Sequence, residues 1–206
     1  MTSLSHDEGR IAAMEDSQRP EINLKDPLLA AFLAWLLPGL GHAYQGRYAK
    51  AILFFVFIVG TFIFGVYLGS SRDVGVGRVV YASWREEDRR FSYLAQVCVG
   101  LPALPALVQA NRVHNGKEPL WHGFMAPPQL DPDQNAQNPP GLANEPTLSA
   151  LHKNLNRFFE LGTLYTVVAG LLNVLAIYDA WEGPAFPEPR KKEEEDEEKE
   201  NPGGEG

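Results

Sequence analysis

Cysteine is almost missing from this chain. The single residue, Cys98, stands inside an apolar run, which excludes a disulfide within the chain and a Cys-rich zinc site. Acid is missing from one long stretch: no Asp or Glu falls between Pro27 and Arg72, whereas ten of the 26 follow Trp181. The first 26 residues lack a charged region leading into an apolar one, so they do not read as a cleaved signal. Thr2 stands where myristoylation needs glycine. Signatures of chemistry are missing too. Gly75-Val76-Gly77 has neither the third glycine nor the flanking strand and helix of a dinucleotide site. No serine nucleophile elbow occurs. His114 and His122 have no further ligands nearby to complete a metal site. No catalytic residue, cofactor or metal is expected, and a net charge of -8 argues against nucleic acid as a partner.

What is present is apolar sequence in long blocks. The mean hydropathy of -0.20 hides this, because polar ends and a polar centre dilute it. Residues 51–69, AILFFVFIVGTFIFGVYLG, hold no charge, and as a helix they match the roughly 30 Å of a bilayer's hydrocarbon. Their apolar side chains go all round the helix, without the polar stripe of a soluble amphipathic one. Residues 27–44 precede them. Asp26 is placed to cap that helix, with Pro27 at its first position, and Pro38-Gly39 kinks or ends it. Only 45–50 separate the two blocks, so they form a tight antiparallel hairpin, with a re-entrant first segment as the alternative. The third block, 91–110, contains Gln96, Pro102 and Pro105. Each proline displaces the carbonyl four residues earlier, at Cys98 and Leu101, so a broken helix packed on protein is expected. The fourth block, 161–180, carries Asn173, with Asp179 near its end.

These blocks predict an all-α, polytopic membrane protein with about four transmembrane helices, the first two a tight hairpin at 27–69. Around them lie a polar tail (1–26), a charged loop (70–90) and a loop at 111–160. A disordered acidic tail occupies 181–206. Within 111–160, the Pro-, Asn- and Gln-rich stretch 126–146 reads as a flexible linker, and 147–160 as a short helix. Glu86, Glu87 and Asp88 among Arg85, Arg89 and Arg90 read as a solvated charged face. With four spans, Lys and Arg number 12 on the side of the termini and 6 on the other. Both termini are then cytoplasmic. If the third block re-enters, the C-terminal half flips.

The stretch PGLGHAYQGRYAKAILFF, with Gly39, Leu40, Gly41, His42, Tyr44, Gly46 and Arg47, resembles the two-transmembrane-helix domain family. That family carries an acidic residue or His followed by Arg-Phe in the turn, where this chain has His42-Ala43-Tyr44. Across most of its length the chain also resembles a group of small polytopic membrane proteins of planctomycete-type bacteria, through LAWLLPGLGHAYQGR, GLPALPALVQ and ELGTLYTVVAGLLNVLAIYDA. That resemblance implies a multi-pass protein of a bacterial inner membrane and supplies no activity.

Two sets of residues stand out. Gly65 and Gly69 on one span, and Gly162, Thr166, Gly170 and Asn173 on another, recur at four-residue or near-four-residue spacing. They form faces on which helices approach closely. His42, Tyr44, Gly46 and Arg47 gather at a turn on the membrane surface, where Arg47 and Lys50 can meet lipid phosphates. Asp179 reads as an ordinary helix end. The expected partners are the lipid bilayer and other membrane proteins or a second copy. The expected role is a scaffold or accessory subunit, leaning away from an enzyme. A small transporter, channel component or intramembrane enzyme is the alternative, and it requires polar side chains converging at mid-depth.

Overall fold

The computed structural model describes residues 26–131 and 138–183. Most of the expected tails, 1–25 and 184–206, and the centre of the expected linker, 132–137, lie outside the described residues. The described chain is mostly helical. Helix α1 is Pro27–Leu36, α2 Leu40–Tyr44, and α3 Tyr48–Leu68, which widens to a π-helix over Phe55–Val59. A β-hairpin with two-residue strands (β1 Trp84–Arg85, β2 Asp88–Arg89) is the one sheet among the described residues. Then come α4 Ser92–Gln96, α5 Pro105–His114, α6 Leu148–Leu155 and α7 Arg157–Glu182.

Two helices, α3 and α7, are long and apolar enough to cross a membrane. They run antiparallel. Gly65 near the end of α3 packs on Gly162 and Thr166 near the start of α7, while Arg47 and Lys50 at the start of α3 reach Asp179 at the end of α7. Small residues make this approach possible: a side chain on Gly65 would meet Thr166 Cγ2 at 2.7 Å, and one on Gly162 would meet the Gly65 carbonyl at 2.7 Å.

The other two apolar blocks do not continue as long helices. In the first, Asp26 caps α1 as the sequence predicts, its carboxylate accepting from the Leu28 and Leu29 amides. The helix then stops at Leu36, and Gly39 turns the chain with φ 84°. Helix α2 packs back on α1, with Gly41 against the Ala30 carbonyl and Ala34. At 10 residues, α1 is about 15 Å long, half the hydrocarbon thickness. The 91–110 block breaks more sharply. Helix α4 decays into 3-10 turns at Val97–Val99 and Leu101–Ala103. Gly100, at φ 84° and ψ -134°, reverses the direction between them. Tyr93 Oη donating to the Ala103 carbonyl at 2.9 Å closes the loop so formed. The blocks at 27–44 and 91–110, expected to be kinked and broken, thus fold as two short helical hairpins and not as continuous helices. Proline removes the amide that the next turn needs, and glycine allows the reversal.

The hairpins reach into the bundle from opposite ends. His42 and Gln45, at the base of the first, touch Asp179 and Ala180 near the end of α7. The second begins near the start of α7, where Arg90 donates to Thr163. It then runs past Thr166 and Gly170 through Gln96 and Ala95. Their tips meet where Gly100 packs on the Trp35 carbonyl; a side chain there would come within 1.8 Å of that oxygen.

At the start of α7 the loops build a folded cap. Val79, Val80, Tyr81, Met125, Leu151 and Phe159 are buried in one apolar cluster. Arg90, expected on a solvated face, instead lies over the Tyr81 and Phe159 rings at 4.7 and 4.8 Å. Arg78 is buried and lies 2.6 Å from Glu145, paired by charge although no hydrogen bond is aligned between these two atoms. Glu86, Glu87 and Arg89 do stay exposed. The described parts of 126–146 are tied down. Gln129 donates to the Leu142 and Glu145 carbonyls, and Asn138 pairs with both backbone groups of Leu130. Amide side chains fill the bonding capacity of backbone that composition alone marks as unable to fold. The expected helix at 147–160 divides at Asn156, whose φ is 49°, into α6 and the first turn of α7.

Candidate functional site

Asn173 is where the two hairpin tips converge, and its side chain is wholly buried. Its amide nitrogen donates to the Ala34 carbonyl at 3.2 Å and to the Cys98 carbonyl at 2.8 Å. The identity of these two acceptors follows from sequence. In a continuing helix the Ala34 carbonyl would receive the amide of residue 38, and the Cys98 carbonyl that of residue 102. Both positions are proline, which has no N–H to give. Asn173 has two amide hydrogens and supplies both missing donors at once. An unsatisfied carbonyl away from water costs about 1–3 kcal/mol, so one side chain stabilises two breaks in two different segments.

The rest of the interior follows the same rule. Gln96, buried, donates to the Val79 carbonyl at 3.1 Å and to the Thr166 hydroxyl at 2.7 Å; that hydroxyl lies 2.9 Å from the Gly162 carbonyl. Gln109 donates to the Leu120 and Phe124 carbonyls, both at 2.8 Å, and accepts from the Leu120 amide. Gly170 brings α4 against α7, with room for no side chain beside the Ala95 carbonyl. Gly69 packs on Val79, which touches Gly162 as well. Gly65, Gly69, Gly162, Thr166, Gly170 and Asn173 therefore all meet partners within their own chain.

A second polar group closes the base of the first hairpin. Asp179 Oδ2 lies 2.7 Å from His42 Nε2 and 2.9 Å from Arg47 Nη2, with Lys50 Nζ at 3.5 Å. Gln45 donates to the Ala180 carbonyl at 2.6 Å, and its own oxygen accepts from Arg47 at 3.3 Å. His42 is fully buried, its ring 4.8 Å from that of Phe54. Tyr44 is half-buried beside this cluster, and Gly46 turns the chain at φ 84° with open space around it. The turn residues His42 and Arg47 thus converge on one carboxylate. Sequence reasoning passed over Asp179. The available signal was the lack of any acid from 27 to 72, which leaves His42, Arg47 and Lys50 without a local counter-charge.

Outside the long helices, burial raises the Tyr81 phenol, with Asp88 close by. Burial likewise lowers Arg85, against the pull of Asp88. Asp131 is held below the usual carboxylate range, chiefly by the Ser149 hydroxyl donating at 2.5 Å. Among the described residues no group of three His, Cys, Asp or Glu is arranged to hold a metal ion.

The arrangement defines a class: a helical protein with two helices long and apolar enough to cross a membrane, two half-length hairpins between them, and a folded cap at one end. The chain belongs to a family of unknown function, DUF6677, which matches residues 29–193. No curated protein and no solved structure matches it.

Proposed function

We propose that this is an integral membrane protein whose α3 and α7 span the bilayer. Its two hairpins enter from opposite faces to half depth, and it serves as a scaffold or accessory subunit displaying the cap. The observation that carries this is an inverted distribution of polarity. The outward faces of the long helices are apolar, including Ile52, Phe57, Ile63, Tyr67, Leu164, Leu171 and Leu175. The polar side chains Gln96, Thr166 and Asn173 are inside. A soluble chain with this surface would expose far more contiguous apolar area than such proteins carry. In a bilayer every backbone group must be satisfied internally, and the bonds made by Asn173, Gln96 and Gln109 do that.

This reading replaces four spans by two. It keeps the ends of the described chain, Asp26 and Gly183, on one face, because the first hairpin begins and α7 finishes there. It also changes the charge tally. Both charged loops now share the face opposite the termini, and the sequence places nine Lys and Arg on each side. The positive-inside rule, which favoured cytoplasmic termini for four spans, becomes neutral.

The scaffold role is supported by how the interior polar groups are used. Both Asn173 amide hydrogens and both Gln96 amide hydrogens are committed to protein acceptors. The small-residue faces are consumed within the chain, so a partner would meet the cap or the outward apolar faces. The transporter reading draws on the meeting of two broken segments inside the bundle and on Asn173 Oδ1 and Gln96 Oε1, buried there without a hydrogen-bond partner. Crosslinking in native membranes followed by partner identification tests the choice. A recurring protein partner is expected. A substrate flux in reconstituted vesicles that Asn173→Leu and Gln96→Leu abolish, with the fold intact, would overturn the scaffold role. Extraction by alkaline carbonate would overturn membrane integration itself.

A further inference from the structure

We infer that the cap-side end of α3 carries a binding site for one anionic glycerophospholipid; the inference rests on the membrane reading above. A groove of about 660 Å³ opens sideways where α3 meets the cap. Its wall is apolar, made by Ile63, Val66 and Tyr67 of α3 and Phe158 of α7, and its rim carries Ser71 and Arg72. The volume lies in the range of built ligand sites, and the wall continues into the exposed face of α3, where Ile63 and Tyr67 are 60% and 72% exposed.

The rim chooses the occupant. Arg72 is exposed and makes no hydrogen bond or ion pair among the described residues. Three other arginines of this loop, Arg78, Arg85 and Arg90, are each committed to carboxylates, carbonyls or rings, and Arg89, exposed as well, is not part of the groove lining. Ser71 accepts from the Asp73 amide, which leaves its hydroxyl proton to donate. The Asp73 carboxylate, next in sequence, is not part of the lining. A guanidinium and a hydroxyl above an apolar wall, at the level where a long helix leaves the hydrocarbon, fit a phosphodiester headgroup with an acyl chain beneath it. Guanidinium pairs with phosphate by two parallel hydrogen bonds, and cations near an anionic leaflet gain from its field.

The test uses the full-length protein in vesicles containing a phosphatidylglycerol with a photoreactive group on one acyl chain, the labelled peptides being mapped by mass spectrometry. Labelling should concentrate on the groove residues and exceed that at Leu53 and Phe57, which also face outward. Arg72→Gln should cut groove labelling about five-fold and leave Leu53 and Phe57 unchanged, while Arg72→Lys should retain most of it. Even labelling along α3 that ignores Arg72 would overturn the site and leave the membrane reading standing. No labelling anywhere on α3 or α7 would overturn both.

Discussion

The two hairpins solve one problem with different chemistry at their bases. Each brings a proline-broken segment to the middle of the bundle and gives its orphaned carbonyl to Asn173. Each needs glycine where backbones touch, Gly41 on Ala30 in one and Gly100 on Trp35 in the other. Away from the tips they diverge. The first is fastened by charge, with His42, Arg47 and Lys50 around a carboxylate that is 35% exposed. The second is fastened by neutral amides, Gln96 and Gln109, bonded largely to backbone carbonyls, and by Arg90 held between two rings. A partly wet end can hold ions, whose exposed pairs contribute little and are screened by salt. A dry interior favours uncharged groups, because desolvating a charge costs more than its pairing returns.

That contrast can be broken in a defined order. The largest effect is expected from Gly100→Ala. It places a side chain in a backbone region open almost only to glycine and drives it into the Trp35 carbonyl. A loss of about 3–5 kcal/mol should appear as a lowered thermal midpoint in detergent, and it should loosen both hairpins together. Asn173→Leu comes next. It leaves two carbonyls without donors and should cost about 2–3 kcal/mol, with raised hydrogen exchange near Gly39 and Gly100. Loosening at only one tip would show that the two breaks are not held jointly.

Smaller effects should separate the hairpins. Asp179→Asn should cost about 1–2 kcal/mol, discounted for the exposed carboxylate. It should raise the accessibility of a cysteine placed at Gln45 while leaving the second hairpin protected. Salt should reproduce part of this loss in the wild-type protein and none of the loss from Gln96→Leu. The smallest effect belongs to the cap. The Asp131 carboxyl sits below its ordinary value in the folded state, so its contact with Ser149 is present at neutral pH. As pH falls through that lowered value, the contact is lost, and the Ser149 amide should exchange faster while α7 is unchanged.

Much of this arrangement is legible in the residues, and the misreadings are instructive. Long uncharged runs name α3 and α7 directly. Pro38 and Pro102 mark the two breaks, and Cys98 is already among the carbonyls that the prolines of 91–110 displace. Length alone does not tell that 27–44 and 91–110 fold back on themselves, because hydropathy counts apolar residues without asking whether the chain keeps its direction. The charged loop misleads similarly. Arg85 and Arg90 look solvated until the Pro128 carbonyl and the Phe159 ring, distant in sequence, are brought beside them. Asp179 could be matched with Arg47 only by noticing that no nearer acid exists.

By itself, then, the sequence determined which segments are apolar, where proline and glycine interrupt them, and which backbone carbonyls are left without a donor, since these follow from local covalent chemistry. Only the tertiary structure decided that the two interruptions face each other, that one asparagine serves both, and that the flanking loops share a face. Those outcomes depend on contacts between residues more than seventy positions apart, and local chemistry does not choose among distant partners.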